Sequence, residues 1–405
     1  MNLVTLAAWC GAFFLATTLF SHTVALRLLL LFSGILLVAA AAMRARLRSA
    51  NDAITFVPPL LWPFAAWAAW AALSMLWSLD PEVTGKELRN EVMYTFLALC
   101  LCFVSAQATI AGRVYGFVMA LGSFGVCAVA LWYFWMGPPA SPSWPHGGPG
   151  TFSSTLLVLF PCTLAFLWLA RRKQWPARYA AAAVALLALY PVAGYATQNR
   201  TLWLGFAAQI GIAALFLLLR PLRDSSPGRR TQLLVATLAA LALVGAGAMA
   251  AKVHDERAAS APIAALDKDP RPALWKFTWQ QIEERPWAGA GFGRGMLRHE
   301  MRDELKNTQL WHSHNQFFDT ALQLGAVGIA LLVLLLGWTV RLAWQFARAA
   351  DDVAAACGVA LLAVVAGMVV RNMTDVLWVR QSALLYWGVV GVLLGWGTRA
   401  AAGRN

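Results

Sequence analysis

Continuous apolar runs recur from one end of this chain to the other, and they constrain its fold more than any other feature. Most reach ~17 residues or more, enough for a helix to cross a hydrocarbon core of ~30 Å. The runs are continuous rather than alternating, which excludes a transmembrane β-barrel. With 60% hydrophobic and 13% charged residues among 405, the chain has too little polar surface to cover a soluble domain. The sequence therefore predicts an all-α polytopic membrane protein in contact with lipid.

Hydropathy places about twelve spans. Nine fall within residues 1–251, at Leu3–Phe20, Val24–Met43, Leu60–Trp77, Val92–Ala106, Val114–Met136, Phe152–Ala170, Tyr179–Tyr195, Thr201–Leu219 and Leu233–Ala251. A polar segment occupies 252–313. Three more spans lie within 314–405, one starting near His314 and the others at Val353–Val370 and Ala383–Trp396. The stretch from Asp80 to Glu91 reads as a loop of mixed charge, and no internal repeat stands out. The first span has no basic segment before it and the second follows at once, which favours a retained hairpin over a cleaved signal. Basic clusters at Arg44, Arg46 and Arg48, at Arg171 to Lys173 and at Arg220 to Arg230 all fall on one side of this arrangement. The short loops of the other side carry only Lys86, Arg89, Arg200, Arg371 and Arg380. The positive-inside rule then puts both termini in the cytoplasm and the long loop outside. That bias accounts for most of the net charge of +13, and nucleic-acid binding loses its motivation. The six cysteines sit in apolar runs without metal-ligand spacing and read as helix-packing residues.

The outer loop carries helical signals. Asp269 and Pro270 can serve as N-cap and first helical residue. Trp275, Trp279 and Ile282 share one face, and Leu297, Met301 and Leu305 form a second stripe. Such helices rest on the bilayer or cover a cavity. Arg271 falls in the first turn, where a guanidinium adds to a helix end that favours anions. Arg200 heads the eighth span, as an interfacial anchor or a second anion contact. The glycines from Gly289 to Gly295 lack the Lys-Ser/Thr of a phosphate loop and read as a tight turn. Asp267 and Asp269 resemble the D-x-D of metal-dependent glycosyltransferases, but they lie beside a helix cap. His312 and His314 are two apart, not four, and have no cysteine nearby, so no metal site is expected. Beyond them Gln316, Asp319 and Gln323 make a polar stripe inside a membrane helix, a costly arrangement that marks a cavity or a partner. Ala321, Gly325 and Gly328 read as a small-residue packing face. Arg371 and Arg380 bracket the last outer loop, where they could serve the same cavity or pair with Asp375 as a structural loop, the favoured reading.

His314-Asn315, nine residues, Gly325, two residues and Gly328 fit the pattern H-[NSQ]-x9-G-x-x-[GTY], and in this the chain resembles the O-antigen ligases. Arg271 to Trp275 and Pro286 to Gly293 are similar to the outer-loop motif of the wider superfamily. The resemblance implies a GT-C-like fold with the partly helical loop between helices nine and ten on the periplasmic side. It implies a metal-independent, cofactor-free, inverting transfer of a glycan from undecaprenyl pyrophosphate to lipid A–core at a bacterial inner membrane, in lipopolysaccharide assembly. His314 would be the catalytic base, with Arg271 and Arg200 on the pyrophosphate. The first outer loop, Ser21-His22-Thr23, has no carboxylate for a metal, in keeping with that route. An O-antigen polymerase or a protein O-oligosaccharyltransferase would use the same chemistry on another acceptor. A lipid-glycan transporter is the rival from another class, although neither broken helices nor inverted repeats are evident in the sequence.

Overall fold

A computed structural model describes residues 2–47, 54–136, 148–197, 199–219, 271–306 and 312–403, with isolated positions at 244, 245 and 247. Every regular element among them is helical. Seven helices are long and apolar enough to cross a membrane. They are α2 (Val24–Leu47), the composite α4–α5, α6 (Ala111–Met136), α7 (Pro149–Arg172), α8 (Ala177–Tyr195), α12 (Gln316–Ala347) and α13 (Asp352–Asn372). Three shorter helices are also apolar: α1 (Leu3–Thr18), α3 (Leu61–Leu73) with the 3₁₀ turn Ser74–Leu76 that continues it, and α9 (Arg200–Leu219). The last helix, α14 (Arg380–Ala401), is buried along most of its length against α5. The expected ninth span, Leu233–Ala251, lies outside the described residues, as do Asp267 and the Asp269-Pro270 cap.

One expected loop is a helix. Asp80 caps α4 (Pro81–Glu87), accepting from the Glu82 and Val83 N–H groups, with Pro81 at the first helical position. A π-helical turn, Leu88–Met93, joins it to α5 (Tyr94–Ser105). The charges that suggested a loop sit on a capped helix end, where Glu82 is well placed in the first turn.

Close helix packing through small residues occurs, but on α14. Gly391 and Gly395 lie against the carbonyls of Leu99 and Phe103 on α5, leaving no room for a Cβ. The expected packing face at Gly325 and Gly328 has a different purpose. Gly325 takes φ 64° and ψ −165°, and α12 breaks there. A break inside a membrane helix strands backbone groups that lipid cannot satisfy. The segment Pro286–Gly293 supplies partners. The Leu322 and Gln323 carbonyls accept from the N–H groups of Ala290 and Gly291 at 2.8 and 2.9 Å. Ala326 N–H donates to the Pro286 carbonyl at 2.8 Å, and the Trp70 indole N–H reaches the Leu324 carbonyl at 3.0 Å. The segment is fixed from its other side by the residues just after the 3₁₀ turn, through Trp77 Nε1 to the Ala288 carbonyl and Leu79 N–H to the Ala290 carbonyl, both at 3.0 Å. A side chain at Gly325 would meet the Trp287–Ala288 backbone, and one at Gly328 would meet Leu324.

Gly325→Ala is therefore expected to lose ~2–4 kcal/mol, because it combines a left-handed φ with a clash against backbone. Trp70→Phe removes one donor and should lose ~1 kcal/mol. Thermal unfolding of the purified protein in detergent ranks the two, and equal stability of Gly325→Ala and the parent would refute this account of the break.

Candidate functional site

The histidine stretch lies at the head of α12, and short side chains fix its backbone. Asn315 is the N-cap, its Oδ1 accepting from the Phe317 and Phe318 N–H groups at 2.9 and 3.2 Å. Its amide donates to the Met373 carbonyl at 3.1 Å, which ties the start of α12 to the end of α13. Asp319, one turn in and 2% exposed, accepts from Ser313 N–H at 3.0 Å and from Ser313 Oγ at 2.8 Å. Gln323 Nε2 donates to its other oxygen at 3.2 Å, while Gln323 Oε1 takes the Gly293 N–H at 3.0 Å. The polar stripe read from the sequence is real, and its work is to hold the histidine turn and the glycine segment together.

His314 sits in the left-handed region at φ 51°. For a residue other than glycine this costs of order 1–3 kcal/mol, and it persists because Asn315, Ser313 and Asp319 fix both sides. Its Nδ1 lies 3.4 Å from Asp375 Oδ1. A carboxylate only accepts, so the contact assigns the Nδ1 proton to His314 and leaves Nε2 as the free lone pair. The His314 side chain is 33% exposed. Asp375 is also held by Arg371 NH2 at 3.2 Å. Burial works to raise the Asp375 carboxyl, but the hydrogen bond from His314 and the Arg371 charge hold it well below the usual carboxylate range. Arg371 in turn donates to Ser153 Oγ and Thr374 Oγ1, each at 3.2 Å. The Arg371–Asp375 pair is as expected; its continuation into His314 was not foreseen.

The two expected anion ligands flank this group. Arg271 opens α10 (Arg271–Glu284), is half-buried, and acts electrostatically on Arg371. One turn later Trp275 Nε1 donates to the Ser313 carbonyl at 2.9 Å, and its ring meets Phe318 edge-on at 5.9 Å. The core-facing residues of α10 are Leu274, Phe277 and Thr278 rather than the tryptophan stripe. Leu274 and Phe277 pack on Met301 of α11 (Arg298–Leu305), while Trp275 and Trp279 turn towards α12. Arg200 is exposed at the first position of α9. Its neighbour Thr201 accepts from Thr374 Oγ1 at 3.2 Å, next to Asp375. Arg200 thus stands at the rim and Arg271 closer in.

His312, His314 and Asp375 each offer a ligand atom, and these lie within 4.8 Å of one another, close enough to share a cation. His314 Nδ1 faces Asp375, and His312 Nδ1 accepts from the His314 N–H at 3.1 Å.

The family described as O-antigen ligase matches residues 185–333, from the middle of α8 to beyond the break in α12. Over those residues the chain is similar to the O-antigen ligase family. An O-antigen ligase of Pseudomonas aeruginosa is 27% identical over 296 residues, a match covering 71% of this chain and 65% of that protein. The family segment contains Arg200, Arg271, His314 and both glycines of the break, but not Asp375, Arg371 or Ser153, which come from outside it. A carboxylate that follows a paired arginine in an outer loop was the available signal for Asp375; Ser153 had none.

His312 gives a pH test of this geometry. It is 6% exposed, and burial first, then His314 and Arg294, push its imidazole down to about 3. Its Nδ1 therefore remains an acceptor for the His314 N–H. In an unfolded chain an imidazole protonates near ~6.5. Between those values the unfolded state binds the additional proton, so stability is full above ~6.5 and falls as pH drops through that window. Thermal midpoints measured from about pH 7 to about pH 4 should decline, with a shallower decline in His312→Gln. An unchanged slope in the variant would show that His312 is not the group responsible.

Proposed function

We propose that this protein is an O-antigen ligase in the full sense, an inverting glycosyltransferase acting at the periplasmic face of a bacterial inner membrane. The observation that carries the reading is the His314–Asp375 contact beside Arg271, at the helix ends opposite those bearing the basic clusters. Arg172 and Asp352, paired at 3.3 Å, mark the other ends of α7 and α13, on the expected cytoplasmic side. With twelve spans, both termini also lie there, and 252–313 is the periplasmic loop between helices nine and ten.

The donor is a glycan on undecaprenyl pyrophosphate and the acceptor a sugar hydroxyl of lipid A–core. The acceptor oxygen attacks the anomeric carbon from the face opposite the pyrophosphate. The bond between that carbon and the phosphate oxygen breaks, and undecaprenyl pyrophosphate leaves with the electron pair. The acceptor proton passes to His314 Nε2, and Asp375 stabilises the imidazolium that forms, as a carboxylate does behind any histidine base. Arg271, with Arg200 at the rim, offsets the charge growing on the leaving group. One displacement inverts the anomeric centre. No cofactor enters, and the proposed route needs no metal, because His314 takes the acceptor proton and the arginines offset the charge on the leaving group. The transporter reading gains a broken helix, contrary to expectation. The groups freed at that break are nevertheless taken by Ala290, Gly291 and Trp70 rather than left for a solute.

Transfer with purified protein, lipid-linked glycan and lipid A–core is expected to be lost in His314→Ala and in Arg271→Ala, by ~10²–10⁴-fold for the base. Asp375→Asn presents an amide to Nδ1, favours the wrong tautomer and should lower kcat by ~10²-fold. Arg200→Ala should lower it less. Activity is expected to survive excess chelator; its loss would overturn the metal-free mechanism, and near-normal rates in His314→Ala would overturn the base. A protein or an O-antigen repeat unit serving as acceptor in place of lipid A–core would reassign the enzyme within its superfamily.

A further inference from the structure

Two residues apart in sequence, His312 and His314 alone make no metal site. The fold adds a third ligand that their spacing could not reveal. Asp375, from the loop after α13, brings a carboxylate to the two imidazoles, and the three ligand atoms lie within 4.8 Å of one another. Two imidazoles and one carboxylate, with a fourth position for water, are a donor set of zinc sites that keep an open position. Magnesium and calcium take oxygen shells instead.

Spacing, protonation and access agree with such an ion. His314 Nδ1 and Asp375 Oδ1 are 3.4 Å apart. A hydrogen bond onto a charged group is shorter, at ~2.7–2.9 Å. Neighbouring ligands of a tetrahedral ion bound at ~2.0–2.2 Å are ~3.3–3.5 Å apart, which matches. Ligand atoms must also be free of protons. The Asp375 carboxyl is held well below the usual carboxylate range, and burial keeps the His312 imidazole neutral down to about 3. The proton-free nitrogen of His312 is Nδ1, which accepts from the His314 N–H at 3.1 Å and is thereby turned towards His314. The His314 and Asp375 side chains are 33% and 23% exposed, so an ion can arrive from solution and keep a water ligand.

The surrounding charge sets how firmly an ion stays. Arg371 holds the other oxygen of Asp375 at 3.2 Å, and Arg294 acts on both Asp375 and His312. These cations oppose a further positive charge, so the ion comes and goes and is not a resident cofactor. Its effect on His314 follows from the tautomer. In the metal-free form Nδ1 carries the proton and Nε2 the lone pair. An ion on Nδ1 displaces that proton, and a neutral imidazole with Nδ1 ligated carries its one N–H at Nε2. The lone pair that would receive the proton of the acceptor hydroxyl is then gone. His312 exchanges its hydrogen bond from the His314 N–H for the ion.

We propose that His312, His314 and Asp375 form an inhibitory site for a divalent transition ion of the zinc type, which occupies Nδ1 of His314 and moves its proton to Nε2. The inhibition rests on the transferase reading, while binding itself is read without any transfer. Cobalt(II), which takes zinc sites and absorbs visible light when four-coordinate, is the binding probe. The full chain in nanodiscs, without a polyhistidine tag, should give a saturable visible band that zinc abolishes and magnesium does not. His312→Gln and Asp375→Asn should each weaken binding by ~10-fold or more, at least the loss caused by removing an outer partner of a metal ligand. Either variant carries the test if the other does not fold. In steady-state transfer, zinc should lower kcat with the donor KM little changed, and chelator should restore the rate. The zinc concentration for half inhibition should rise by ~10-fold or more in His312→Gln, measured against the variant's own metal-free rate. No cobalt band in the unaltered protein, or equal affinity in both variants, overturns the site. Zinc bound through these residues with transfer undiminished overturns the inhibitory role. Zinc binding in a protein that shows no transfer when metal-free would overturn the transferase reading and leave the site standing.

Discussion

The break in α12 at Gly325 is the constraint on which the outer half of the molecule depends. A membrane helix can give up its hydrogen-bond ladder only where protein replaces it. Pro286–Gly293 does so by lying across the break and exchanging three backbone hydrogen bonds with it, while Trp70 donates to the Leu324 carbonyl. That substitution requires backbone against backbone. Gly289 lies against the Gln323 carbonyl just as Gly325 lies against Trp287 and Ala288, so glycines are needed on both partners. The spacing between the outer-loop motif and the H-[NSQ]-x9-G-x-x-[GTY] pattern is thus the spacing of two halves of one joint.

From that joint the order spreads upward to the histidine. Gln323 bonds the Gly293 N–H with one end and Asp319 with the other. Asp319 holds Ser313, Ser313 receives Trp275 through its carbonyl, and Trp275 lies one turn from Arg271. Arg271 and His314, some forty positions apart, are consequently linked through the first turn of α10, the Trp275–Ser313 hydrogen bond and the backbone from Ser313 to His314. A strained φ at His314 is tolerable under such conditions, because the residues on both sides have no other place to go. Loosening the joint should therefore reach the imidazole long before the membrane core unfolds.

Much of this was legible in the sequence, for identifiable reasons. Apolar runs and basic clusters are sums over many residues, so spans such as Val24–Met43 and Tyr179–Tyr195 emerge close to their observed bounds. The His314–Gly328 pattern and Arg271 are local signals, and they led to the candidate site. Pairings across the chain were not legible. Nothing in Asp375 distinguishes a partner of His314 from a partner of Arg371, and it is both. Glu91 sat in a stretch whose charges suggested a loop, because an Asp-Pro cap and a π-helical turn leave no hydropathic trace. Gly325 and Gly328 were assigned to close packing, the commoner role of small residues in membrane helices, since a helix break that is refilled by a distant loop has no periodicity to detect.

Charge explains why an anion should be drawn to this place in particular. Around the His314–Asp375 pair stand Arg271, Arg294, Arg371 and Arg380, with Arg200 at the rim, against the carboxylates of Asp375, Asp319 and Glu91. Arg371 is engaged by Asp375 and Ser153, and Arg294 faces Glu91 and Asp319, so those charges are largely balanced from within. Arg271 acts on Arg371 as a like charge, which is unfavourable in a site poorly screened by water. In the proposed transfer an approaching pyrophosphate would offset that repulsion, most of all when negative charge on the leaving oxygens is greatest. Interactions that strengthen as the bond breaks are the ones that accelerate a reaction. On the proposed mechanism Arg271 and Arg371 would act on the leaving group through charge, while Asp375, which contacts both Arg371 and His314, would hold the base in place.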